Sequence, residues 1–257
     1  MSSRSTVCFD YHILKEVEHR PWPLPDRPWV MTQTWHDLLF AHWPIDKTQL
    51  RAMLPTGLDL DLYQEQAWVG IVPFRMTNVA PRALPVVPWM SAFPELNVRT
   101  YVRVHDRPGV YFFSLDAASA VVVGLARLLF NLPYYTASMK VTADGPAIRY
   151  RSDRKGTASH RPRFVASYRP TGGTFQAQPH SLEYFLTERY CLYTVDKRGQ
   201  SQRLDIHHRP WALQTATASF ESNTMAEANG LALPATPPLL HFAKRQDAVA
   251  WLPAAAT

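Results

Sequence analysis

Cysteine is almost missing from this 257-residue chain: Cys8 and Cys191 occur alone, too few for a disulfide framework and in no spacing that suits zinc. Both are expected as reduced thiols. Long apolar runs are missing too. The longest uncharged apolar stretch, residues 117–126, stops at Arg127, well short of the ~20 residues that a bilayer-spanning helix needs. The first residues reach Asp10 without an apolar signal-type segment or an amphipathic transit sequence, so a cytoplasmic location is expected. Glycine is scarce, 10 residues against 22 prolines, so corners are expected to be made by proline more than by flexible turns. Lysine is scarcer still, since 21 of the 27 cations are arginine. There is no Gly-x-Ser-x-Gly elbow, phosphate loop, dinucleotide fingerprint or His-Glu-x-x-His, which argues against the enzyme classes those motifs carry.

What is present points to a folded globular chain. Apolar residues make up 46% and charged residues 19% of it, enough to bury about 70% of the unfolded surface in one core. Residues 1–30 are polar and punctuated by Pro21, Pro23, Pro25 and Pro28, and are expected to form an extended arm. Residues 31–257 are expected to form a single domain. Short apolar runs there alternate with turn signals, predicting a mainly β domain with a few helices. Strands are expected at residues 38–43, 58–63, 67–76, 96–104, 110–115, 134–141, 147–151, 163–168, 191–195, 202–207, 213–220 and 240–251. Helices are expected after the Asp46 cap, over 118–130 with Asp116 or Ser119 as cap, and over 181–189. Gln64-Glu65-Gln66 and Asp106-Arg-Pro-Gly109 read as turns. In the 118–130 helix, Val121, Val122, Leu125, Leu128 and Leu129 recur at helical spacing and are expected to rest on a sheet.

The run from Asp116 to Tyr135, an acidic-Ala-Ala helix with a Gly124/Arg127 pair that ends in Pro133, resembles the acetoacetate decarboxylase signature. That signature closes on two lysines, and Tyr134 and Tyr135 stand in their places. The strand opening Pro94-Glu95-Leu96-Asn97-Val98-Arg99 resembles the acidic strand of the same superfamily. With Trp35-His36, Phe74-Arg75, the run from His207 to Trp211 and the run from Pro237 to Phe242, the chain is identified as similar to the YqjF-like family of bacterial proteins, within the acetoacetate decarboxylase-like superfamily. The resemblance implies a cone-shaped, largely antiparallel β-barrel with a central cavity, usually assembled into homo-oligomers.

Decarboxylation through an enamine needs a neutral primary amine, and a phenol cannot form an iminium. The lysine chemistry of the superfamily therefore does not carry over, and Lys140, six residues beyond Tyr134, is too far along the strand to replace it. Successive strand residues face opposite sides, so one of Tyr134 and Tyr135 points inward, and the resemblance implies Tyr134. Glu95, Asn97, Arg99 and Tyr101 share one strand face opposite Val98, Thr100, Val102 and Val104, a polar stripe that could line a pocket or lie in solvent. On it, a carboxylate and a guanidinium could pair and orient an oxyacid or ketone. Candidate catalytic residues are thus Glu95, Arg99 and Tyr134. Candidate ligand contacts are Glu95, Asn97, Arg99, Tyr101, Tyr134, Tyr135 and His207, with Trp211 closing the barrel. His36, His42, His207 and His208 lack metal-ligand spacing, so neither a metal nor another cofactor is expected. The densest basic stretch, Arg149, Arg151, Arg154, Lys155, Arg161, Arg163 and Arg169, is opposed by Asp153 and reads as the solvated face of a hairpin with Gly156 and Ser159 at its tip, or as a polyanion grip. The leading expectation is a binder of a small oxygenated or anionic molecule, with a lysine-independent enzyme and a nucleic-acid binder as alternatives.

Overall fold

A computed structural model describes residues 8–85, 91–156 and 161–256. Ser159 of the basic hairpin falls outside them, as do the side chains of Val122 and Leu125. The described elements run β1 (Met31–Ile45), α1 (Lys47–Ala52), β2 (Asp59–Leu60), β3 (Ala67–Pro81), β4 (Phe93–Val104), β5 (Arg107–Ala117), α2 (Ala120–Phe130), β6 (Tyr134–Asp144), β7 (Ala147–Arg154), β8 (Arg163–Phe175), α3 (Leu182–Thr187), β9 (Cys191–Val195), β10 (Ser201–His208), β11 (Leu213–Asn223), β12 (Leu239–Ala250) and β13 (Ala254–Ala255). The chain is mainly β, as its texture predicts.

Pairing closes the sheet on itself twice. One ring of seven strands runs β1-β3-β4-β5-β9-β10-β12 and back to β1. A second ring follows the same wall from β12 through β1, β3 and β4 to β5, then returns through β6, β7, β8 and β11. All these pairings are antiparallel except β5–β6 and β5–β9. The shared wall is therefore buried on both faces and loses the in-out alternation of a half-exposed sheet; residues 37–43 of β1 are all buried. Phe40, Phe74, Phe93, Leu115, Leu192, Leu204 and Trp211 pack on the seven-strand side. Leu39, Val69, Ile71, Val98, Tyr150, Phe164 and Phe242 pack between the wall and β7–β8.

Local chemistry explains the ends of the elements. Asp46 caps α1 by accepting from Gln49 N at 2.7 Å, and Ser181 caps α3 by accepting from Tyr184 N at 3.2 Å. Gln64 and Glu65 both take positive φ between Tyr63 and Gln66, the backbone of a tight hairpin turn. Three expectations are corrected. The β4–β5 turn is His105-Asp106, with His105 at φ 52°, so Arg107, Pro108 and Gly109 already belong to β5. Asp116 does not cap α2 but holds Arg154, Nε to Oδ1 2.8 Å. The buried face of α2 is Val123, Ala126 and Phe130, whereas Val121, Leu128 and Leu129 are exposed; a helix apolar all round does not disclose its inner face by period. The segment before β1 is also less extended than its prolines suggest. Tyr11–Lys15 is a 3-10 helix capped by Asp10, and Ile13 is fully buried against Val249 and Trp251.

Candidate functional site

The seven-strand ring encloses a cavity of about 390 Å³. Its wall is apolar along most of its length, supplied by Phe40 and Leu38 of β1, Val72, Phe74 and Met76 of β3, Phe112 and Leu115 of β5, Phe130 and Leu132 after them, and Leu192 and Leu204 of β9 and β10. Into this wall β4 sends Glu95, Asn97 and Arg99, alternate residues of one strand face, while Leu96 and Val98 between them enter the other core. The polar stripe therefore faces a cavity and not solvent.

Glu95 is nearly fully buried and accepts from the Tyr134 hydroxyl at 2.8 Å. Register brings them together: Tyr134 pairs with Leu115, which pairs with Asn97, two residues from Glu95. Burial pushes the Glu95 pKa up to about 8, the nearby Asp116 carboxylate adds to that, and the Tyr134 hydrogen bond opposes it. Glu95 is thus a neutral acid near pH 7, able to donate as well as accept. Burial and Glu95 together hold the Tyr134 phenol well above its ordinary value. Asp116 rises to about 6 through burial, against the pull of Arg154.

Arg99 does not pair with Glu95, contrary to the sequence expectation. Its Nη2 donates to Leu186 O at 3.2 Å and lies 3.4 Å from the Tyr101 hydroxyl, and its guanidinium sits over the Phe40 ring. Arg99 Nε, Asn97 Oδ1 and Trp211 Nε1 are buried without a hydrogen-bond partner among the described residues. Such groups are costly to leave unpaired, and all three residues line the same cavity.

Residues 32–247 match the sequence pattern of DUF2071, a family described as an uncharacterized conserved protein. The chain belongs to the DUF2071 family. It is 50% identical over 228 residues to the uncharacterized protein YqjF of Bacillus subtilis (strain 168), covering 89% of this chain and 93% of YqjF. Among solved structures, the enduracididine biosynthesis enzyme MppR, complexed with the condensation product of pyruvate and imidazole 4-carboxaldehyde, superposes with a TM-score of 0.61 at 11% identity, over 90% of this chain and 91% of MppR. Acetoacetate decarboxylase from Legionella pneumophila superposes with a TM-score of 0.58 at 14% identity, over 99% of each chain. At these identities the likeness establishes the fold, and the DUF2071 chain has the acetoacetate decarboxylase-like architecture that its sequence resembles.

In this DUF2071 chain the remaining candidate ligand contacts, Tyr101, Tyr135 and His207, lie outside the cavity lining. Tyr101, on the Glu95 face but farther along β4, donates to Leu186 O at 2.8 Å and accepts from His42 Nε2 at 2.6 Å, tying α3 to the wall. Tyr135 points outward, stacked on the Arg154 guanidinium 4.1 Å from its ring centroid. His207 lies under the N-terminal segment, with Nε2 2.7 Å from Ile13 O. Its neighbour His208 lines the cavity instead, held by Arg209 O at 2.7 Å and pushed by burial to a pKa of about 4. Trp35 and Trp211 stack at 5.8 Å and line the cavity together. Arg189 is a lining residue that sequence reading missed; its Nη1 is engaged by Asp61 at 2.6 Å. All six lysines, Lys140 included, are exposed. The basic hairpin is less uniform than its sequence: Arg154 is buried with Asp116, and Arg163 lies near both Asp153 and Glu221.

Proposed function

We propose that this chain binds a small oxygenated or anionic organic molecule in the central cavity and does so without iminium chemistry. The observation that carries the reading is the polar stripe itself: a guanidinium and an amide oxygen with unpaired buried atoms are presented into a largely apolar enclosure. Sites that recognise small ligands combine an apolar wall with a few convergent polar groups in this manner. MppR, solved in complex with pyruvate, and acetoacetate decarboxylase, named for acetoacetate, lend support through the shared fold. The exposed positions of all six lysines argue against a Schiff base with a cavity ligand.

A second reading makes the cavity catalytic. Glu95, with its pKa near 8 and its Tyr134 partner, is suited to proton transfer at neutral pH, and Arg99 is suited to clamp an oxyanion, as in a lysine-independent decarboxylase, isomerase or hydratase. One experiment separates the two. The protein is incubated with a panel of oxo and hydroxy acids while melting temperature and product mass are followed. Stabilisation without turnover supports the binder. Turnover abolished by Glu95→Gln supports the enzyme, and a borohydride-trapped lysine adduct would overturn the denial of iminium chemistry.

A further inference from the structure

Most of the cavity lining is apolar, and its charged and amide groups on β4 follow one another along a single strand face. Strand pairing sets the levels: Arg99 lies opposite Gly70, Asn97 opposite Val72, Glu95 opposite Phe74 and Phe93 opposite Met76. From the Arg99 level to the Met76 level is about 20 Å of strand at ~3.3 Å per residue. Beyond Met76 the β3 wall continues to Pro81, which pairs with Met31, itself paired with Ala250 two residues before Leu252. α2 leaves β5 toward the same end, where Ala118 N donates to Pro94 O. The solvent-exposed residues of the lining are Pro81, Pro85, Leu129 and Leu252. Among the described residues the exposed part of the lining is thus apolar, with Gln33 and Ser91 beside it at the Val79 level, and Arg99 stands at the far end of the polar stripe.

The charge at that far end is available. Arg99 spends its hydrogen bonds on a carbonyl and a phenol, neither of them an anion, and its Nε stays unpaired. The neighbouring cation, Arg189, is engaged by Asp61. A short hydrophilic oxo acid would satisfy Arg99 and leave the Phe93, Met76 and Leu129 levels in contact with nothing apolar.

We infer that the ligand is an amphipathic monocarboxylic acid, its acid group on Arg99 and its apolar tail running toward Phe93 and Met76 and along the Leu129 side of the cavity. This assignment rests on the binding reading above and narrows its ligand class. Burial of each methylene tightens binding about fourfold, so chain length becomes the determinant of affinity.

The test is calorimetry with butanoate, octanoate, dodecanoate, octanol, pyruvate and acetoacetate. The dissociation constant should fall about fourfold per methylene from butanoate to octanoate, and octanol should bind at least tenfold more weakly than octanoate. Arg99→Met should abolish that acid-over-alcohol preference. Leu129→Asp, at an exposed position and so compatible with folding, should weaken dodecanoate more than tenfold and butanoate less than twofold. Octanol equal to octanoate, or a dodecanoate affinity indifferent to Leu129→Asp, would overturn the assignment. Pyruvate or acetoacetate binding more tightly than octanoate would overturn it while leaving the oxygenated-ligand reading intact, whereas silence from every compound would remove both.

Discussion

At Glu95, burial and the Asp116 carboxylate oppose ionisation more strongly than the Tyr134 hydroxyl favours it, so the folded chain holds a proton that the unfolded chain releases near pH 4.5. Between that value and about 8 the native state binds the extra proton, and stability falls as pH rises, by up to about 1.4 kcal/mol per pH unit. Glu95→Gln keeps an acceptor for Tyr134 and cannot ionise. Urea unfolding across pH 5 to 8 should therefore show a shallower decline in the variant than in the natural chain; parallel curves would mean that Glu95 ionises in the ordinary carboxylate range. Tyr134→Phe acts on the same pair from the other side. It removes the hydrogen bond that lowers Glu95, so the Glu95 titration, followed by carboxyl-labelled NMR, should move further up, and stability at pH 5 should drop by about 1 kcal/mol for the lost hydrogen bond.

Among the elements, β5 and β9 approach closely where they close the ring that encloses the cavity. These strands run parallel with few paired residues, and at Gly109 an added Cβ would lie 2.8 Å from both Cys191 Sγ and Tyr193 Cε2 and 2.9 Å from Cys191 O. Part of that conflict is with backbone, which cannot swing aside as a side chain can. Gly109→Ala should cost about 1–3 kcal/mol, as overpacked cores do, read as a lower urea midpoint at unchanged m-value; an unchanged midpoint would show that the seam has slack. The sequence suggested a turn glycine here because Pro-Gly next to Asp is a turn signal, whereas its role is a close approach between strands distant in sequence. The same distinction governs the site. Glu95, Asn97 and Arg99 were legible because alternation along one strand needs no knowledge of partners. Tyr134 was legible as one of an adjacent pair, with the resemblance deciding which. His208 in place of His207, the Arg154 partner of the outward Tyr135, and the diversion of Arg99 to Leu186 all depend on what β4, β6 and β10 pack against, and local pattern does not contain that.

Over the whole molecule, two rings share one wall, and the segment before β1 covers the outside of the seven-strand ring where β10 meets β12. Val249 pairs with His207 where β10 meets β12, and Ile13 packs on Val249 and Trp251 over that junction. His19 Nε2 reaches His208 O at 2.7 Å, Arg20 Nη1 donates to Ile206 O at 2.7 Å, and His207 Nε2 reaches Ile13 O. Because Ile206 and His208 line the cavity from the other side, the segment stabilises the junction that closes the cavity. Ile13→Ala should then cost about 2–4 kcal/mol, in the range for a buried isoleucine whose site cannot collapse, and not the few tenths expected of a loosely attached arm. Acid sharpens the test. Burial lowers His207 and His208 to about 4 from 6.5, so each contributes stability that is present at neutral pH and is lost as pH falls from 6.5 toward 4. Acid unfolding of Ile13→Ala, followed by tryptophan fluorescence, should accordingly begin at a higher pH than in the natural chain, and limited proteolysis at pH 5 should cut first within residues 8–30. A variant that unfolds at the same pH and is cut elsewhere first would detach this segment from the closure of the ring.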